Sequence, residues 1–347
     1  AGPGDLSIVN TGSQLNVTIN QQDPLKVNAT GDVKLIAGDD IYLESDAGLT
    51  LQQVNAGGDV RLSADGHIYN SGSGTTITAN NLNISAKGNI GTDSKAVSLA
   101  LSNALKSVSA SGDAFLTSSG SLALGSIGAG GILSIEAKGA LTNWAENGDL
   151  IHIKGAAVSL EAKNSNIGTS TRALKVDVQG GALSLRGNNA WVEITSDNLN
   201  VGSTNLSGAY NLELAGNVDV SANVDVGSMD WNIGGNLTDS NTNKIESFGA
   251  LSIVAGDINL AQSTVEGSSV YMEAQAGDLT LSDVESYLTK MDLLATANIN
   301  LYGEIWSYNT LLMDAQNITD YGSNRIFSIG DLTLKAIDDL NLHQVQS

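Results

Sequence analysis

Apolar and polar residues alternate in short bursts along almost the whole chain, and each burst ends at Gly, Asn, Asp or Ser. From Ala250 onward the bursts fall into three series. The first begins at Leu251, Val270, Met291, Leu311 and Leu332, as in Leu251-Ser-Ile253 and Leu332-Thr-Leu334, and recurs every 19 to 21 residues. A second, offset by about a third of a turn, runs through Ile258-Asn-Leu260, Leu279-Thr-Leu281, Ile299-Asn-Leu301, Ile318 and Leu340-Asn-Leu342. The third passes through Val265, Val284, Ile305 and Ile326. Alternation places successive side chains on opposite faces of a strand. Three short strands per repeat therefore predict an all-β fold, a three-sided parallel solenoid of about 20 residues per rung.

The residues between bursts are those that tolerate tight or left-handed backbone, as the corners of such a prism require. Residues 94–105 carry apolar side chains at Ala96, Val97, Leu99, Leu101 and Leu105, an alternation that predicts strand rather than helix. At about 20 residues per rung, 347 residues predict roughly 17 rungs. The continuous β-helix is expected over 31–342, with 1–30 as first rungs at the amino-terminal edge and 343–347 as the other edge. Ala1-Gly-Pro-Gly-Asp5 and Gln346-Ser347 read as the ends of a fragment.

Composition supports the repeat. Length alone suggests two or three globular domains, but there are 39 Gly against 2 Pro, aromatic residues are 4%, and the apolar positions are mostly Leu, Ile, Val and Ala, which suits a narrow core. Charge narrows the partners. Sixteen Lys and Arg face 37 Asp and Glu, a formal net charge of -21 that repels nucleic-acid phosphates and anionic membrane surfaces. Neither nucleic acid nor membrane insertion is expected. The acids are dispersed at Gly-Asp and Asn-Asp corners, as on a solvated surface. The lack of cysteine fits export and cytoplasm equally, and no stretch is long and apolar enough to cross a bilayer as a helix.

A longer echo overlies the rung period. Leu82-Asn-Ile-Ser-Ala-Lys-Gly-Asn-Ile-Gly-Thr-Asp-Ser-Lys-Ala-Val97 recurs, with one insertion, as Val158-Ser-Leu-Glu-Ala-Lys-Asn-Ser-Asn-Ile-Gly-Thr-Ser-Thr-Arg-Ala-Leu174, the pattern of an internal duplication. The Asn-Ile-Gly-Thr corner, followed by a basic residue and an apolar strand and set among steps such as Gly58-Asp-Val-Arg-Leu62, resembles the haemagglutinin-type repeats of filamentous haemagglutinin and related large exoproteins. The likeness spans Gly31 to about Leu342. It implies a right-handed parallel β-helix, the hand that parallel crossovers prefer in any case. It also implies export through a dedicated outer-membrane transporter by the two-partner route, to a bacterial cell surface or a released fibre. The sequence shows neither the Asn-Pro-Asn-Gly motif of that family's secretion domain nor a toxin-like carboxy-terminal domain, so the resemblance places it as shaft or interior binding segment.

Catalytic and metal signatures are sparse. His67, His152 and His343 are isolated and lack cysteine neighbours, which argues for corner histidines and against a transition-metal site. No Gly-x-Ser-x-Gly elbow, phosphate-binding loop or zinc-protease motif occurs. Gly130-Gly131-Ile132 and Gly234-Gly235-Asn236 only imitate the start of a calcium-binding nonapeptide. No catalytic residue, metal or cofactor is expected. A β-helical polysaccharide lyase or hydrolase would need long groove-forming loops and a basic catalytic residue, whereas rungs here are short and basic residues few. An ice-binding column would need repeated Thr-x-Thr steps, and Thr76-Ile-Thr78 stands alone.

One exterior face has coherent chemistry. Glu246-Ser-Phe248, Glu266-Gly-Ser268, Glu285-Ser-Tyr287, Glu304-Ile-Trp306 and Arg325-Ile-Phe327 recur at steps of 20, 19, 19 and 21. With Ser247, Gly267, Ser286, Ile305 and Ile326 turned inward beside Ile245, Val265 and Val284, a column of carboxylates ending at Arg325 and a column of aromatics are expected outside. Stacked glutamates repel unless they are solvated, offset, or neutralised by Arg325 or a cation. Seven of the 15 aromatic residues lie between Tyr271 and Phe327. Tyr287 or Trp306 could stack on sugar rings while Glu285 or Glu304 accepts their hydroxyls. The expected ligand site is thus Glu246, Phe248, Glu266, Glu285, Tyr287, Glu304, Trp306, Arg325 and Phe327. The opposed reading is that the rings merely cover one another or lie beneath a loop. The expected function is adhesion to a cell-surface receptor or polysaccharide combined with a shaft role; its competitor is a pure spacer of a contact-dependent toxin-delivery filament.

Overall fold

The computed structural model describes residues 6–9 (backbone only), 25–27, 31–144, 153–322 and 324–347. Among them every regular element is a β-strand and none is a helix. The strands pair in parallel and stack as a β-solenoid of about 16 turns, about 20 residues each. The chain divides into two compact units, residues 1–181 and 182–347.

In the first unit, turns stack as Ile41–Ser45 on Val60–Ala64 on Ile77–Ala86, with Leu43, Leu62 and Ile84 in one inward column. The run through Leu99 and Leu105 lies in the strand Val97–Ala110, as its alternation predicted. The echoed segments share one device. Ile90 and Ile167 are fully buried, and the glycines after them adopt φ of 69° and 70°, a region closed to most L side chains. A tight antiparallel bridge then joins Thr92 to Lys95 and Thr169 to Arg172. The threonine hydroxyl oxygen accepts the N–H of Lys95 at 3.1 Å and of Arg172 at 3.0 Å. The conserved letters of the echo are those that this corner needs.

The second unit shows three strands per turn most plainly near its end. Met291–Ala295, Asn298–Leu301 and Ile305–Ser307 pair with Leu311–Ala315, Asn317–Asp320 and Arg325–Ser328 of the next turn. These are the first, second and third faces, in the register Met291 to Leu311, Ile299 to Ile318 and Ile305 to Ile326. In earlier turns the third and first faces fuse into single strands, Lys244–Ala255 and Thr264–Ala274, with a register shift between Ser247 and Ala250. There the corner is a bulge within a strand, a feature that alternation alone does not reveal.

Two residues contradict the expectation of a core of small branched side chains. Trp231 and Tyr210 are fully buried and meet edge to face at 5.4 Å and 83°. A carboxylate also enters the stack, since Asp320 follows Leu301 in register and is 3% exposed. It accepts the N–H of Gly322 at 2.9 Å and Nδ2 of Asn324 at 2.7 Å, and its other oxygen lies 3.1 Å from Nδ1 of His343. A buried carboxylate persists where its oxygens are partnered in this way.

The acidic and amide corners do more than solvate the surface. Side-chain oxygens of Asn198, Asn217, Asn236, Asp257 and Asp278 accept the backbone N–H one turn on, at Asn217, Asn236, Asp257, Asp278 and Asn298, over 2.8 to 3.3 Å. A shorter version in the first unit runs from His67 Nδ1 to the N–H of Asn89, from Asn89 to that of Asp113 and from Asp113 to that of Ile132. His67 is an exposed corner residue stacked on Tyr69. His152 lies outside the described residues.

Candidate functional site

The third face of the second unit is fixed from within. Ile245, Val265, Val284, Ile305 and Ile326 stack in register and are at most 2% exposed. Two residues on, the inward position is Ser247, Gly267, Ser286, Ser307 and Ser328. The four serines are fully buried, and their hydroxyls reach the carbonyls of Ala250, Thr289, Thr310 and Asp331, respectively, at 2.9 to 3.3 Å, satisfying the corner from inside. At Gly267 a Cβ would stand 2.7 Å from the carbonyl oxygen of Ser269, so a side chain has no room there.

This apolar-x-Ser frame corrects the exterior columns. Between the two inward positions the outward column is Glu246, Glu266, Glu285, Trp306, Phe327. The residues after the serines are Phe248, Tyr287, Tyr308 and Ile329, and those before the apolar position are Lys244, Thr264, Asp283, Glu304 and Arg325. Glu304 and Arg325 therefore leave the expected carboxylate column, and Trp306 and Phe327 enter it. Ile305 and Ile326 belong with Val284, not with Ser286. A one-residue slip would expose those isoleucines and bury a charge, so burial decides the register.

Neutralisation follows the expected Arg325 contact only at Glu304, and a lysine serves two of the other glutamates. Lys244 bridges Glu246 at 2.9 Å and Glu266 at 3.0 Å. Hydrogen bonds to these two carboxylates hold its ammonium pKa above the usual value. Arg325 instead sits 3.6 Å from Glu304, with its guanidinium 5.3 Å from the Trp306 ring centre. Glu285 has no ion pair among the described residues. The sequence signal for Lys244 was its place two residues before Glu246, on the same side of the strand.

The aromatic members have separate environments. Phe248 is 63% exposed. Tyr287 is half-buried and its hydroxyl donates to the Ser247 carbonyl at 2.8 Å, across two turns, so it is anchored along the face. Burial, then Glu246 and Glu266, raise its phenol pKa, and Lys244 opposes them. Half-buried Trp306 packs on Phe327 at 4.7 Å and on Tyr308 at 6.3 Å. Phe327 and Arg325 both reach it from the following turn. Toward the preceding turns opens a groove of about 520 Å³ lined by Thr264, Asp283, Val284, Glu285, Glu304, Trp306 and Tyr308. Within it Asp283 accepts the backbone N–H of Glu304 at 2.7 Å. Where the second face turns into the third, Tyr302 and Tyr321 stack in parallel at 5.0 Å with more than half of each exposed. The groove thus combines three carboxylates, a threonine hydroxyl and an aromatic wall, a set that accepts hydrogen bonds and attracts cations.

The chain matches no family model, no curated protein and no solved structure.

Proposed function

We propose that this chain is a non-enzymatic segment of a secreted or surface-exposed bacterial fibrous exoprotein, exported by the two-partner route, serving as shaft and making adhesive contact through its third face. The partner is a cell-surface receptor or a polysaccharide. The motif likeness to haemagglutinin-type repeats and the solenoid fold support the fibrous part of this reading. The adhesive part rests on one observation. Among the described residues outside the last turn, the large apolar side chains left exposed are Ile132, Phe248, Leu288, Tyr302, Tyr308, Tyr321 and Ile329, and all but the first border the third face. Localised exposure of apolar side chains on an otherwise acidic chain is the usual mark of a contact surface. The spacer reading draws on the anchoring of Tyr287 and the packing of Trp306 on Phe327, which keep part of the face closed.

Phe248→Ala combined with Tyr308→Ala separates the two. Adhesion predicts loss of attachment to cells or immobilised matrix glycans, with stability changed by no more than about 0.5 kcal/mol for each such exposed position. Unchanged attachment would leave a spacer. The chain should also release no unsaturated or reducing sugar from pectin, alginate or hyaluronan. Turnover that disappears with a carboxylate substitution would restore the lyase reading.

A further inference from the structure

We infer that the groove beneath Trp306 receives an arginine side chain from a basic partner segment. The inference rests on the reading of the third face as a contact surface and names the chemistry of what it contacts. Asp283, Glu285 and Glu304 line the groove, and among the described residues the one cation at its rim is Arg325, 3.6 Å from Glu304. Lys244, the nearest other cation on this face among the described residues, is held by Glu266 and Glu246, which lie one and two turns before Glu285. The groove therefore keeps an excess of negative charge beside an aromatic wall. Arg325 shows what that wall accepts, because its guanidinium lies 5.3 Å from the centre of the Trp306 ring while facing a carboxylate. A second guanidinium entering from the open side would meet the same ring and the unpaired Glu285. Charge-assisted hydrogen bonds to carboxylates are roughly twice as strong as neutral ones, and the planar guanidinium also stacks on aromatic faces.

Charge complementarity favours this occupant over the others. A second copy would set Glu285 and Glu304 against the surface of a chain of net charge -21. A neutral sugar could stack on Trp306 but would leave the carboxylates uncompensated. The lining comes from three successive turns, at Thr264, at 283–285 and at 304–308, so its extent is about 10 Å along the stacking direction. That suits one long side chain of an extended segment.

The test is calorimetric titration of the full chain at about 0.15 M salt with an oligo-arginine peptide, an oligo-lysine peptide and a neutral glucan oligosaccharide. Glu285→Gln with Glu304→Gln removes two of the three groove carboxylates and leaves Asp283, which accepts the Glu304 N–H. Glu44→Gln with Glu213→Gln makes the same change in net charge elsewhere. Circular dichroism melting confirms that each variant folds. We expect oligo-arginine to bind more tightly than oligo-lysine, with about a tenfold or greater loss in the groove pair and less than about twofold in the control pair. Tyr308→Ala should weaken binding with no change in charge. Equal loss in both pairs would reduce the effect to general attraction by an acidic chain and overturn the inference. Glucan binding that is lost in the groove pair would overturn it in favour of a saccharide. Attachment to cells that persists without oligo-arginine binding would leave the contact surface standing and the arginine site refuted; loss of attachment with Phe248→Ala alone, but not with the groove pair, would have the same meaning.

Discussion

Trp231 has no accessible surface, and neither its indole N–H nor the hydroxyl of its neighbour Tyr210 finds a hydrogen-bond partner. The two rings thus act in opposite directions on stability. Trp231 contributes packing that nothing else in a core of aliphatic side chains can replace, so Trp231→Ala should destabilise the chain by about 3 to 5 kcal/mol through lost contacts and a cavity. The Tyr210 hydroxyl carries a desolvation penalty of about 1 to 3 kcal/mol with no compensating bond, and burial raises its pKa. Tyr210→Phe keeps the ring and removes the penalty, so its midpoint in urea should equal or exceed that of the parent chain. A clear loss of stability in Tyr210→Phe would show that the hydroxyl is partnered after all. Neither ring was legible as core from the sequence. Tyr210 follows the small residues Ser207-Gly-Ala209 and precedes Asn211, and Trp231 lies between Asp230 and Asn232, so local composition argues for exposure where strand parity decides burial.

At the level of the element, alternation made the strands readable because each face has only an inside and an outside. The first, second and third series all pair as their spacing implied, from Leu251 with Val270 to Ile305 with Ile326. The exterior columns were not readable in the same way. Glu285-Ser-Tyr287 and Glu304-Ile-Trp306 share a Glu-x-aromatic pattern in two different frames, and only the buried Val284-x-Ser286 and Ile305-x-Ser307 pairs distinguish them. The corner ladder was visible as Gly-Asn and Gly-Asp steps, but its role was not, since a side-chain oxygen that caps the next turn looks in sequence like any polar corner. Asn236 occupies the middle of that ladder, donating its N–H to Asn217 and accepting that of Asp257. Asn236→Ala should cost about 1 kcal/mol, the worth of one net hydrogen bond, and should speed amide exchange at Asp257. Asn236→Asp keeps the acceptor, as Asp257 and Asp278 do in the following turns, and should leave exchange there unchanged. Equal protection in the alanine variant would mean that the ladder holds nothing.

For the molecule as a whole, charge sets how stability responds to solution conditions, and the alkaline and neutral ranges respond differently. Tyr271 donates to Glu273 at 2.5 Å, which with burial pushes its phenol up to about 12; Lys244 and Tyr287 are raised as well. Groups whose folded pKa exceeds the unfolded value retain protons longer when folded, so their contribution is complete below about pH 10 and is lost as pH rises through the folded value. The melting temperature should therefore fall between about pH 10 and 12, and Tyr271→Phe should flatten part of that fall. Near neutrality the balance lies between ion pairs and repulsion. The pairs in view, such as Lys87 with Asp65 and Lys335 with Asp314, have both side chains largely exposed and contribute little. Against them stands a net charge of -21, including the in-register carboxylates of Glu246, Glu266 and Glu285, of which only the first two share a lysine. Salt screens both terms, and the larger is repulsion. Raising sodium chloride from about 0.05 M to 0.5 M at pH 7, where the Debye length falls from over 10 Å to a few ångströms, should raise the melting temperature. The gain should be smaller in Glu266→Gln with Glu285→Gln, which breaks up the column. A melting temperature that falls with salt would mean that the ion pairs outweigh the repulsion, and that the acidic exterior is internally compensated rather than held ready for a basic partner.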